Sequence, residues 1–338
     1  MNLELCTLNP IISNMGSPRR VGEACLVAIV LLLLSLNACA LSAGPGFRDA
    51  DGLRETADLI QEVKAFGLTL GIEPTDALSR TTGEGRALSI LWLWMQRAGT
   101  LARNRAVDIR MAVGLSSIKE QTKIEQVFRV DGYSIYYRQG NEFADSRSAV
   151  TPSFAAEGIV RRVNVILHED LHGDVNFDLP WDIEEGVVTP LGSLAAVQYF
   201  KHHGDAENLK GAQMALNEGR QISRELLKLA KEAETIFKNT PVDDAKEKVL
   251  ALLSIYPAYQ SIFQRQVVGQ HPATVLEAKL SHDLAYFRYF EAIVTLAEKP
   301  LALDVLIAEL KKLPRDATPE ITDRFLGALE TNYSGATH

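Results

Sequence analysis

Cysteine is scarce: the 338-residue chain has three, Cys6, Cys25 and Cys39, all near the start. No disulfide can therefore staple anything beyond Cys39, and that part must be held by its own core, for which it is long enough. Basic charge is also short, with 35 Lys and Arg against 43 Asp and Glu and a net charge of -8. No Lys/Arg run interleaved with aromatics occurs, so the chain has no field for collecting phosphates, and nucleic acid is excluded as a partner. Internal repeats and low-complexity linkers are lacking too, so residues 39–338 read as a single domain.

The start of the chain has a different character. Arg19 and Arg20 precede the apolar run "ACLVAIVLLLLSLNAC", which ends at Leu36-Asn37-Ala38-Cys39. A transmembrane helix would need a longer run, whereas a signal peptide ends in small residues like these. The ending resembles a bacterial lipobox, which implies a signal peptide over residues 1–38, cleavage before Cys39 and lipidation of Cys39. Met15 is an alternative start, because what precedes it adds nothing a signal needs. Ala40 stands where Gram-negative lipoproteins retained in the inner membrane carry Asp, so the resemblance implies the outer membrane, facing the periplasm.

Beyond the signal, "DADGLRETADLIQEVKAFGLTLGI" carries Leu53, Ala57, Ile60, Val63 and Leu68 at roughly helical spacing. "ALSILWLWMQ", with Trp92 and Trp94, reads as a buried strand or a core helix segment. "YSIYYR" follows an Asp-Gly turn signal and is rich in strand formers, which predicts a small sheet or hairpin. From Pro152 onward the pattern is helical, broken by a loop at "GDVNFDLPWD" and resuming at "IEEGVVTPLGSLAAVQYFKHH". The fold class expected is mainly α with a small β element (α+β).

The most informative stretch is "VILHEDLHGDVNFDLPWDIEEGVV", Val165 to Val188. On a helix, residues four apart project from one face, so His168 and His172 can aim ring nitrogens at one ion. Glu169 sits one position round and can act on water as a general base without being a ligand, the zincin pattern of His-Glu-x-x-His. Two features depart from that pattern: Asp170 is charged, and Gly173-Asp174 follow the second histidine. Asp170 is expected to face solvent or to support a histidine. Catalytic zinc takes three protein ligands, and Glu185 lies thirteen residues after His172, at the start of the next helix. Glu184 points about 100° away from Glu185 on a helix, so one of the two can serve, and the small Gly186 favours Glu185.

These residues resemble the predicted bacterial zinc aminopeptidases of lipoprotein type, in which a HELAH-like motif is followed thirteen residues later by a glutamate in an Asn-Glu-Ser-like context. Here that context reads Glu184-Glu185-Gly186. Weaker similarity extends to "LGIEPTDALSR", to "GYSIYYRQGNEF" and to "LEAKLSHDLAYFRYF". The resemblance implies a gluzincin-like metallopeptidase with Zn2+ held by His168, His172 and Glu185, and a peptide as substrate. Tyr286 falls near the family's tyrosine, and with its i, i+4 neighbour His282 it is a candidate oxyanion donor; the alternative is core aromatic packing. Glu184 is a candidate anchor for a substrate amine, and Tyr136, with Tyr133 and Tyr137, a candidate lining of a cleft where a peptide adds to the sheet edge. Asp174, Asp178 and Asp182 could orient a ligand imidazole. The remaining histidines, His202, His203, His271 and His338, read as exposed. The competing function class is a non-catalytic helical lipoprotein serving as an envelope scaffold or binding module.

Overall fold

The computed structural model describes residues 50–79, 89–101, 110–113, 132–141, 150–173 and 177–334. The signal region, Cys39, Asp174 and His338 lie outside the described residues. Among the described residues no helix is long and apolar enough to cross a membrane.

The chain is mainly helical. Helix α1 (Ala50–Thr69) leads into the strands β1 (Ser89–Arg97), β2 (Arg110–Val113) and β3 (Tyr133–Asn141), which form an antiparallel sheet in the order β2-β1-β3. The tryptophan run is thus the central strand, which its β-branched and aromatic content favours. Gly132, at positive φ, makes the turn into β3. Helices then follow one another: α2 (Pro152–Ala155), α3 (Ile159–Gly173), α4 (Trp181–His202), α5 (Ala206–Asn239), α6 (Val242–Leu252), α7 (Pro257–Gln266), α8 (Pro272–Phe287), α9 (Phe290–Ala297), α10 (Leu303–Leu310) and α11 (Pro319–Ser334). The segment from Val275 to Glu298, which reads as one helix, is two, broken at Arg288 and Tyr289 so that Tyr289 turns into the core.

Helix α4 is apolar all round and occupies the centre, packing against α3, α5, α8 and α9. One apolar core gathers around α1, α3, α4 and α9 to α11; a second joins α5 to α8 with Tyr136 of the sheet. Of the apolar stripe expected on α1, Ile60 and Val63 are buried, but Leu68 is exposed and Phe66 takes the inward place.

Asp170 corrects the sequence reading: it is 1 % exposed and faces neither solvent nor a histidine. Its Oδ1 pairs with Lys64 Nζ at 2.5 Å and accepts from Thr75 N at 3.1 Å and Thr75 Oγ1 at 2.9 Å. Lys64 also donates to the Thr75 carbonyl at 2.8 Å. Gly173 belongs to the same dock, since a Cβ there would come within 2.1 Å of Thr75 Cγ2. The charge and the glycine that depart from the zincin pattern therefore both serve to join α3 to α1 and the segment after it.

Removing one partner of a buried, hydrogen-bonded ion pair strands the other charge, at a cost of about 3–5 kcal/mol. Lys64→Met is expected to lower the unfolding free energy by about that much, and Lys64→Met/Asp170→Leu to recover most of it. Urea unfolding of the two variants checks this; a loss of under about 1 kcal/mol in the single variant would contradict it.

Candidate metal centre

Two helices build the site. His168 and His172 stand one turn apart near the C-terminal end of α3, and Glu185 stands in the second turn of α4. The crossing is close because α4 carries Gly192 against His168: a Cβ there would lie 3.1 Å from His168 Cβ. Asn164 Nδ2 donates to Ser193 Oγ at 2.9 Å and fastens the two helices one turn earlier. Gly186, credited from sequence with this approach, instead makes room for Tyr289, whose ring would meet an added Cβ at 2.7 Å.

His168, His172 and Glu185 form a group that could hold a metal ion. The Nε2 atoms of the two histidines are 3.0 Å apart, and Glu185 Oε2 lies 3.5 Å from His168 Nε2 and 3.3 Å from His172 Nε2. All three side chains are largely buried. Glu185 Oε2 is buried yet makes no hydrogen bond of good geometry, which is costly unless a cation or proton sits in front of it.

In two of the three, the side-chain atom turned away from the group is also held in place. His172 Nδ1 meets Glu184 Oε1 at 2.9 Å, and Trp181 Nε1 donates to Glu185 Oε1 at 3.0 Å. Glu184 thus fixes the tautomer that leaves His172 Nε2 toward the group. Trp181 occupies one carboxylate oxygen and leaves the other for an ion. Burial alone would lower the His172 pKa, but the Glu184 and Glu185 carboxylates close beside it outweigh that and push it up to about 10. Burial likewise would raise Glu185, and the two histidines beside it hold it well below the usual carboxylate range.

Sequence reasoning placed Trp181 in a loop. The helix begins at Trp181, directly after Pro180, whose carbonyl accepts from Ile183 N and Glu184 N. Proline beside the first helical residue with Asp182 and Glu184 in the first turn is a helix-start signal; it would have put Trp181 four residues before Glu185, on one face. Among the aspartates proposed to orient a histidine, Asp178 is exposed and pairs with Arg315 at 3.4 Å, and Asp182 is half-buried in the first turn of α4. Glu184, not one of these aspartates, meets His172, through its Oε1.

Glu169 is half-buried on α3, and its charge acts on His172. His282 is 4 % exposed, with Nδ1 against Asp283 Oδ1 at 2.8 Å and its ring against Trp94, Tyr136 and Tyr286 at 4.8, 5.3 and 5.0 Å. Asp283 Oδ2 accepts from Tyr259 OH at 2.8 Å and from Lys279. Burial opposes the charge on Asp283, but Lys279 and His282 hold its pKa down to about 2. His282 is thus a buried histidine held at Nδ1 by Asp283 and packed among three aromatic rings, the core packing that the sequence offered as its alternative. Tyr286 is half-buried, its ring 6.0 Å from that of Trp181.

Tyr136 is 1 % exposed, beneath Lys279 and His282, and offers a substrate no surface. Strand addition beside Tyr137 is also blocked, since Gln270 accepts from Tyr137 N at 2.8 Å and donates to its carbonyl at 2.9 Å. His202, His203 and His271 are exposed as expected, the first two closing α4 rather than lying in a loop.

The sequence matches no protein-family model, and comparison with the curated proteins and with solved structures gives no match.

Carboxylates that orient metal-bound imidazoles are typically worth 10–100-fold in affinity. Glu184→Gln and Trp181→Phe are each expected to weaken Co2+ binding by about that factor without loss of helix. Cobalt absorbance titration alongside circular dichroism checks it, and unchanged affinity in both variants would contradict the roles assigned.

Proposed function

We propose that this protein is a zinc-dependent peptidase, a gluzincin-type hydrolase of the bacterial cell envelope. The observation that carries the reading is the buried Glu185 Oε2, without a hydrogen bond, facing two imidazole nitrogens. His₂Glu is a common donor set of catalytic zinc, and ligands at 2.0–2.1 Å in tetrahedral array stand about 3.3 Å from one another. The three separations of 3.0, 3.3 and 3.5 Å fit that spacing.

Bound zinc supplies Lewis acidity, polarising a substrate carbonyl and bringing the pKa of water to near 7. Glu169 takes a proton from the attacking water and returns it to the leaving amine as the C–N bond breaks and a C–O bond forms. Glu184 and Trp181 keep His172 and Glu185 in register while this happens. Tyr286, half-buried beside Trp181, is the side chain assigned to the developing oxyanion. The similarity to lipoprotein-type zinc aminopeptidases supports the same reaction class, and the lipobox-like ending at Cys39 supports a lipid anchor in the outer membrane, facing the periplasm.

The chain lacking residues 1–38 is expected to bind about one zinc and to cleave short peptides. Glu169→Gln should keep the zinc and lose cleavage by about 10²-fold or more. Metal analysis of dialysed protein with a peptide-cleavage assay decides it. No zinc uptake, or full activity in Glu169→Gln, would overturn the proposal. Zinc uptake by an inactive wild type would favour the non-catalytic envelope scaffold.

A further inference from the structure

A cleft opens beside Trp181. It lies between β1, the first turn of α4 and α8. Trp94, Met95, Trp181, Ile183 and Leu284 are among the residues that line it. One acid, Asp182, and one base, Arg288, also line it and leave it without net charge. Trp181 is shared between cleft and metal group: its ring packs on Trp94 at 4.8 Å between centroids, while its Nε1 holds Glu185 Oε1. Trp181 is thus the side chain through which the cleft and the donor group touch.

We propose that this cleft is the specificity subsite for a medium-sized apolar side chain, leucine-like, on the residue next to the scissile bond. The inference rests on the peptidase reading and narrows its substrates. An uncharged aliphatic group gains by leaving water for a wall of indole, thioether and aliphatic carbon. A charged side chain loses hydration and finds Asp182 and Arg288 opposing each other. The indole also couples the two sites, since a side chain seated against Trp181 presses on the group that positions Glu185.

The probes are L-leucinamide and glycinamide, titrated by tryptophan fluorescence into the chain lacking residues 1–38, with and without zinc. Leucinamide is expected to bind about tenfold tighter or better, because only it carries a side chain to bury. Ser281→Phe, which fills the cleft from α8, should abolish that preference while zinc content is unchanged, and the milder Ser281→Leu should reduce it. Equal binding of the two amides to wild-type protein overturns the subsite, as does a preference that survives either folded variant undiminished. The leucinamide preference without zinc uptake would keep the subsite and remove the peptidase reading; zinc uptake without the preference would do the reverse.

Discussion

The buried pair of Lys64 and Asp170 fixes the rotation of α3 about its axis. Asp170 lies two residues from each histidine, and two residues on a helix are about 200°. A carboxylate drawn toward α1 therefore sends His168 and His172 to the opposite side, where α4 lies. Thr75 adds two donors to the same oxygen, and Gly173 lets it come that close. A charge that looks out of place in the motif is thus what aims it.

Once α3 is aimed, α4 completes the group. Gly192 sets the approach, and the helix start at Trp181 sets the phase, so that Trp181 and Glu185 share a face and Glu184 falls on the neighbouring one. Adjacent glutamates consequently do different things: Glu185 enters the donor group and Glu184 holds His172 from behind. The aromatic wall of Trp181, Trp94, Tyr286 and His282 then joins this centre to the packed polar cluster of Asp283, Lys279 and Tyr259, whose members satisfy one another inside the second core. This rigid backing keeps the ligand atoms within a few ångströms of one another.

The donor group was legible in the sequence because it depends on local spacing: four residues on one helix and thirteen across a short loop. Most helices of the C-terminal part were legible for the same reason, but not the break at Arg288 and Tyr289 that divides one of them. What escaped were contacts between residues distant in the chain. Lys64 and Thr75 give no local sign that they meet Asp170, and nothing near His282 shows that Trp94 and Tyr136 cover it. Tyr136 looked like a cleft residue because strand alternation reveals which residues share a face, but not which face a helix will cover. Trp181 was the one avoidable omission, since Pro180 followed by acids marks a helix start.

The central claim is that two imidazoles and one carboxylate oxygen hold a single zinc ion. X-ray absorption at the zinc edge, on protein loaded with one equivalent, tests it most directly. The account predicts a four-coordinate shell at about 2.0–2.2 Å with the outer scattering of two histidine rings, reduced to one ring in His172→Ala. A six-coordinate oxygen shell without imidazole scattering would contradict it.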